Sequence, residues 1–281
     1  MSYDSAQSSS YQSQPVELYE FYYGFEGSIV VYRYNSTSEV IRSDGHNYLP
    51  VPISVSDIVS QIDSKENNIT LSIGRGNEVW SLFSPGPLRQ PLYVKIFDID
   101  LFDGTFERVL NWSGVVLSGS HNQNDFCDLA CESSLSSLRN KGLNRPMSRQ
   151  CSYTVYFDER CNADIDAATI QTASYTVISP TLINVPAAAL NDDGWYAGGF
   201  MSYTNATAGI VERIGIRQSV LGGNMSLADP IIGLVSGAQI KLTLGCSGTR
   251  ADCKTKHNNL LNFGGAPDKP NKNPYSGIRI F

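Results

Sequence analysis

The six cysteines are the residues of this chain best equipped for chemistry, and they fall into three pairs. Cys151 and Cys161 bracket nine residues in CSYTVYFDERC, Cys246 and Cys253 bracket six in CSGTRADC, and Cys127 and Cys131 form a C-x3-C pair in FCDLACES. Thiolate sulfur is a soft ligand suited to Zn²⁺ or to an iron–sulfur cluster. Structural zinc sites usually pair ligands about two to four residues apart in a tight knuckle, and neither of the first two pairs is that short. A cluster is larger and accepts longer loops, although common ferredoxin runs are short too, so spacing only leans toward iron and sulfide. Buried free thiols or disulfides account for the same residues without metal, since free cysteine is a frequent core residue. On residue type and spacing these readings stay open.

Other chemistry finds little support. The chain has no GxSxG elbow, HExxH, Walker loop or GxGxxG after a strand, the motifs that would place a nucleophile, a zinc-bound water or a phosphate. Asp98 and Asp100 in IFDID, and Asp192-Asp193 before Gly194, read as solvated caps or turn formers. His46 and His121 sit in turn-like contexts. No enzyme is expected. The formal charge of −6 and the lack of a long basic run exclude the cationic footprint that nucleic acid requires. No stretch reaches the roughly 18 to 20 apolar residues of a membrane-spanning helix. The polar opening MSYDSAQSSSYQSQ lacks a cationic start followed by an apolar core, so folding is expected in a reducing compartment, where thiols serve metals more often than disulfides.

The elements that must position the cysteines are strands. With 281 residues, 41% of them hydrophobic, two domains are expected. The 15 Tyr, 11 Phe, 24 Gly and 13 Pro favour strands and turns, and the fold class is mainly β. Residues 1–14 read as a flexible N-terminal arm. Residues 15–120 read as a β-sandwich or barrel: Ile69, Leu71 and Ile73 alternate with Thr70 and Ser72, and SIVVYRY, LYVKIFDIDLF and RVLNWSGVVLSG are further strand runs. Turns are expected at Ser43-Asp44-Gly45, Gly74-Arg75-Gly76, Ser84-Pro85-Gly86-Pro87 and Asp103-Gly104, with Pro50 and Pro52 at an edge or in a loop. Between 121 and 150 the alternation lapses. Leu135 and Leu138 at helical spacing, then Gly142, Pro146 and the cations Arg139, Lys141, Arg145 and Arg149, predict a linker with a short helix. Cys127 and Cys131 would share one helix face there and read as ordinary thiols. From 151 to 281 strands return in YTVYF, ASYTVIS, GIVERIGIR, AQIKLTLGC and SGIRIF, so both flanking cysteine pairs sit beside predicted strands.

The passage GCSGTRADCKTKHNNLLNFGGAPDKPN resembles the closing signature of a family of phage tail-tip and baseplate hub proteins of the BR0599 type: Gly-Cys, polar residues, Cys, and a segment ending Leu-Asn-Phe-Gly-Gly. CSYTVYFDERCNAD resembles the family's other cysteine pair, and LYEFYYG with YRYNS its N-terminal opening. The chain is also similar to the minor tail protein L of lambda-like phages and to hub proteins of gene transfer agents. The resemblance implies that Cys151, Cys161, Cys246 and Cys253 bind a 4Fe–4S cluster, with zinc as the alternative, in a β-rich C-terminal domain spanning 151–281, next to a β hub domain. It implies a structural tail-tip protein in a homo-oligomeric ring, a trimer, between the distal tail protein and the central hub protein, located at the virion tail tip and assembled in the host cytoplasm. The cluster would be a structural staple, with a ferredoxin-like redox protein as the rival. Cys131 also matches a position where relatives often carry cysteine, outside the four ligands. His257-Asn258-Asn259 stands where relatives commonly have Phe-Gly-Asn, and Pro270-Asn271 where they have Pro-Gly. Asn tolerates the left-handed conformation, so the loop geometry is expected to survive.

Overall fold

The structure, a computed structural model, describes residues 15–25, 28–58, 68–83, 88–101, 108–121, 125–139, 148–206 and 209–270. The chain divides into two compact units, Met1–Asn140 with Ala208–Ile210, and Lys141–Thr207 with Val211–Phe281. The expected arm 1–14, the turns at 84–87 and 103–104, the cations Lys141 and Arg145 and the SGIRIF strand lie outside the described residues. Both units are built on sheets, so the fold is mainly β.

The first unit carries β1 (Pro15–Phe25), β2 (Ser28–Asn35), β3 (Ile41–Ser43), β4 (His46–Pro50), β5 (Ile53–Val55), β6 (Ile69–Gly74), β7 (Leu92–Asp100), β8 (Val109–His121) and β9 (Phe126–Ser133). They form one nine-stranded sheet in the order β3-β4-β2-β1-β7-β8-β9-β6-β5. Period-two alternation sets what each strand buries. Tyr19, Phe21 and Tyr23 of β1 join Ile69, Leu71, Ile73, Leu92, Val94 and Ile96 in the main core, while Val16 and Leu18, on the opposite face of β1, pack with Ile41, Tyr48 and Ile99. Asp44 and Gly45 both have positive φ, 50° and 76°, in the two-residue turn joining Ser43 to His46, the backbone that Asp-Gly favours in a hairpin. Pro50 is the last residue of β4, which lies between β3 and β2, and pairs there with Asn35, while Pro52 lies between strands.

Two expectations for 121–150 are corrected. FCDLACES is strand β9, paired with β6 and β8, and so belongs to the sheet and not to a linker. Its alternation is complete once cysteine is counted as apolar: Cys127, Leu129 and Cys131 are buried. The two thiols share a face because four is an even number of strand residues, not because the segment is helical. Burial pushes the Cys131 thiol up to about 12, and burial with nearby Asp128 raises that of Cys127. The short helix is a single 3-10 segment, Ser134–Arg139.

The second unit carries β10 (Thr169–Thr172), β11 (Thr176–Ser179), β12 (Leu182–Asn184), β13 (Phe200–Asn205), β14 (Ile210–Val220), β15 (Asn224–Leu227) and β16 (Ile240–Thr243), in the order β10-β16-β13-β14-β15-β12-β11. Ile240 and Leu242 of β16 are buried with Met201, Tyr203, Ile214 and Met225. Most of these strands have only three to six residues, and long stretches of the unit are turns. YTVYF, expected as a strand, is a run of turns in which Asp158 N–H donates to Thr154 O (3.0 Å) and Cys161 N–H to Asp158 O (2.8 Å). Tyr156 there has φ 67°, which no strand accepts. Asp193 braces a turn by accepting the Leu221 N–H (2.6 Å), whereas Asp100 is fully buried and not a solvated cap.

A buried charge locks the outer face of β1. Glu20 is 2% exposed and accepts from Tyr48 Oη (2.7 Å), Arg108 (3.0 Å), Arg33 (3.2 Å) and Tyr22. Burial alone would raise its pKa, but the bonds from Tyr22 and Tyr48 and the charges of Arg108 and Arg33 outweigh it, so the carboxyl is held below the usual range. A depressed pKa in the folded state stabilises above the unfolded-state value, about 4.3, and that stability is lost as pH falls through the folded one. Replacing Glu20 by Gln is expected to cost about 2 kcal/mol in urea unfolding at neutral pH, and the gap between the two proteins should close on acidification; equal stability at pH 7 would contradict this account.

Candidate metal centre

The four predicted cysteines line one cavity in the second unit, of about 180 Å³, together with Tyr153, Ser247, Gly248, His257, Asn259 and Asn262 among its walls. Cys151 and Cys161 reach it from the turns after residue 148, and Cys246 from the segment that follows β16. Cys253 stands on a short helix, α1 (Arg250–Thr255), and is 8% exposed. All four are free thiols in the structure. Among the described residues no three His, Cys, Asp or Glu side chains stand close enough to hold one metal ion. The four thiols share one chamber.

Backbone hydrogen bonds tie the two distant stretches together. Cys151 N–H donates to Gly248 O (2.8 Å), and Ala266 N–H to Ser148 O (2.9 Å). Arg149 Nε donates to Lys269 O (2.7 Å). Two main-chain donors face sulfur directly: Gly248 N–H lies 3.4 Å from Cys246 Sγ and Gly264 N–H 3.3 Å from Cys151 Sγ. Such donors favour thiolate over thiol. The Leu-Asn-Phe-Gly-Gly signature gains a physical reading here: a Cβ on Gly265 would lie 2.6 Å from Arg149 O, so only glycine lets this backbone close against the Cys151 segment.

Helix α1 is set by a local cap. Thr249 Oγ1 accepts the Asp252 N–H (3.2 Å), and Asp252 in turn accepts the Ser247 N–H (3.1 Å) and pairs with Lys256 (3.2 Å). This is the Thr-x-x-Asp arrangement of a helix start. Burial pulls the Asp252 pKa up, but the bonds from Ser247 and Lys256 carry it below the usual carboxylate range. Ser247 to Arg250 thus fix the turn that carries two of the thiols.

The electrostatics follow from enclosure. Burial raises the Cys253 thiol, and Cys246, Cys151 and Cys161 raise it further, because a thiolate there meets its neighbours' negative charge. Burial also raises Cys246; Gly248 N–H opposes this, while Asp252, Cys151 and Cys161 add to it. Tyr156 is pushed well up by burial and then by Cys246 and Cys161. Its hydroxyl donates to Leu244 O (2.9 Å) and lies 3.4 Å from His257 Nδ1. The His257 ring meets Tyr156 edge-on, with centroids 5.6 Å apart, and its Nε2 lies 3.3 Å from Gly245 O. Both ring nitrogens of His257 face protein groups in the cavity wall. Burial, and then Lys256, hold its pKa below the ordinary histidine value.

Several site residues carried no signal of their own. Asn262, Asn259 and Tyr156 lie inside the quoted LNFGG, HNN and CSYTVYFDERC stretches, but nothing in those stretches singled them out as site residues; the backbone N–H groups of Gly248 and Gly264 have no side chain to advertise them. Thr249 and Asp252 could have been found from their capping spacing. Cys127 and Cys131 belong to the core of the first unit and take no part in the cavity.

The C-terminal cysteine pair lies in a segment with known relatives. Residues 194–273 match the family described as phage conserved hypothetical protein BR0599. Over this stretch the chain is similar to that family. The resemblance read from CSGTRADC and LNFGG is therefore borne out over the BR0599-type segment. The chain is also similar in fold to a chain from the virion of a native gene transfer agent (GTA) particle, with a TM-score of 0.77 and 17% identity over 96% of this chain and 93% of the other. No curated protein matches.

Asn258 offers a backbone test. It is exposed, has φ 46° and stands where the BR0599-type relatives were expected to carry glycine. Asn258→Gly is expected to leave the thermal midpoint within experimental error, and Asn258→Val to lower stability by about 1 to 2 kcal/mol. A harmless valine would show that the conformation of this loop does not matter to the unit.

Proposed function

We propose that this chain is a structural component of a phage-type virion, and more finely a tail-tip hub protein in which Cys151, Cys161, Cys246 and Cys253 hold one 4Fe–4S cluster as a staple. The observation that carries the reading is the meeting of those four thiols, from two stretches about a hundred residues apart in sequence, at one cavity. The donor set fits the group. Thiolates suit iron–sulfur clusters, N–H groups already face two of the sulfurs, and the cavity the four thiols line has room for a group larger than one ion. The cluster would supply the cationic centre that lets buried thiolates coexist, and ligation free energy becomes folding free energy because the unfolded chain has no such site. The likeness to a chain of a gene transfer agent virion and the BR0599-type segment support the virion role.

The finer placement follows the same resemblance: a homo-oligomer, a trimeric ring, between the distal tail protein and the central hub at the tail tip, assembled in the host cytoplasm, with a non-enzymatic role. The two large sheets would supply its interfaces, since closed rings need mutually complementary faces. No helix among the described residues is long and apolar enough to cross a membrane.

Anaerobic purification should yield brown protein with about four iron and four sulfide per chain. Cys246→Ser and Cys253→Ser should each give colourless, insoluble protein or particles without tails. Variants of either kind that assembled tails normally would remove the staple from the account, and colourless wild-type protein containing zinc would remove the cluster.

A further inference from the structure

Asn259 touches both cysteine pairs at once. Its backbone N–H donates to Cys253 O (2.9 Å), and its carbonyl accepts from the Cys253 thiol (3.1 Å). Its side-chain amide, on the other side, donates to Cys161 O, with Nδ2 3.9 Å from Cys161 Sγ. One residue therefore clips the Cys151–Cys161 loop to the turn that follows α1, across 98 positions of sequence.

The orientation of that amide is determined by its surroundings. Asn262 Nδ2 donates to Asn259 Oδ1 (2.7 Å), and a carbonyl, Cys161 O, faces the other end. A flipped amide would set oxygen against oxygen and nitrogen against nitrogen. Asn262 is itself brought round by the 3-10 turn Leu260–Asn262, through its N–H to Asn259 O (3.1 Å). The turn is entered from Asn258 in the left-handed conformation (φ 46°).

We infer that Asn259 is a positioning residue for the metal group, its amide holding Cys161 in register with Cys253, and that Asn262 acts only by fixing the direction of that amide. The inference rests on the cluster reading given above. Ligation would release the Cys253 proton to solvent and with it the thiol's bond to Asn259 O. The amide contacts to Cys161 would persist, and the one to sulfur would strengthen if the thiol became thiolate, since donors to charged acceptors bind more tightly. Residues that orient ligands in this way typically change metal retention by about 10- to 100-fold when replaced.

The test uses the full-length chain loaded anaerobically with iron and sulfide. Asn259→Ala and Asn259→Asp remove the donor, the second with the shape kept; Asn262→Ala leaves Asn259 in place. Iron release to excess chelator is timed, and the absorption and reduced-state paramagnetic resonance spectra are compared at full loading. Release about ten-fold faster is expected for both Asn259 variants, with a shifted spectrum, because a purely structural prop would change retention without changing the electronic surroundings of Cys161. Asn262→Ala should release faster than wild type, and the Asn259→Ala/Asn262→Ala pair no faster than Asn259→Ala alone. Wild-type rates and spectra in the Asn259 variants would overturn the positioning role while leaving the cluster intact. Additive effects would overturn the dependence on Asn262. Wild-type protein that takes up no iron or sulfide would overturn the cluster reading itself. If Asn259→Ala fails to fold, Asn262→Ala carries the same comparison.

Discussion

Four sulfurs share one half-enclosed chamber in the second unit, and they cannot do so as thiolates unless positive charge sits among them, the constraint on which the proposed staple depends. Burial and mutual repulsion raise the thiols of Cys246 and Cys253, while main-chain N–H groups lean toward Cys151 and Cys246. At Cys246 the two influences oppose one another, burial raising the thiol and the Gly248 N–H lowering it. Around them the backbone is bent into the left-handed region at Tyr156, Asn162, Gly248 and Asn258. Such strain persists where surrounding structure determines it, and it clusters at functional sites.

The two units solve stability differently. The first has a nine-stranded sheet with apolar residues on both faces of β1 and a buried carboxylate tied by two arginines and two tyrosines. The second has short strands and long runs of turns, with hydrogen bonds joining segments remote in sequence. A unit with less regular structure gains more from a covalent or metal tie, which gives the proposed staple a physical purpose.

The sequence made the strands legible where burial is one-sided. Ile69, Leu71 and Ile73, and likewise Ile240 and Leu242, announce their faces by alternation, and Asp44-Gly45 announces its hairpin. The reading failed where a residue type has two meanings. In FCDLACES the C-x3-C spacing was read as one face of a helix within a linker, which hid a strand whose inward positions the cysteines fill. In YTVYF aromatic and β-branched residues promised a strand, but the segment wraps the cavity, and tertiary demands overrode local preference. The four cavity cysteines were identifiable by type and resemblance. Their supports were not, because Gly248 and Gly264 act through backbone N–H groups and Asn259 through a contact 98 residues away.

The chain thus sorts its six sulfurs into two populations. Cys127 and Cys131 lie sealed in the sheet core, protonated across the physiological range, and so are poor nucleophiles. Cys151, Cys161 and Cys246 are only half-buried. Oxidants arriving from solvent would therefore spend themselves on the chamber, climbing from sulfenic to irreversible sulfonic acid there, while the large sheet passes through unharmed. Oxidative ageing of the protein would begin in its second unit.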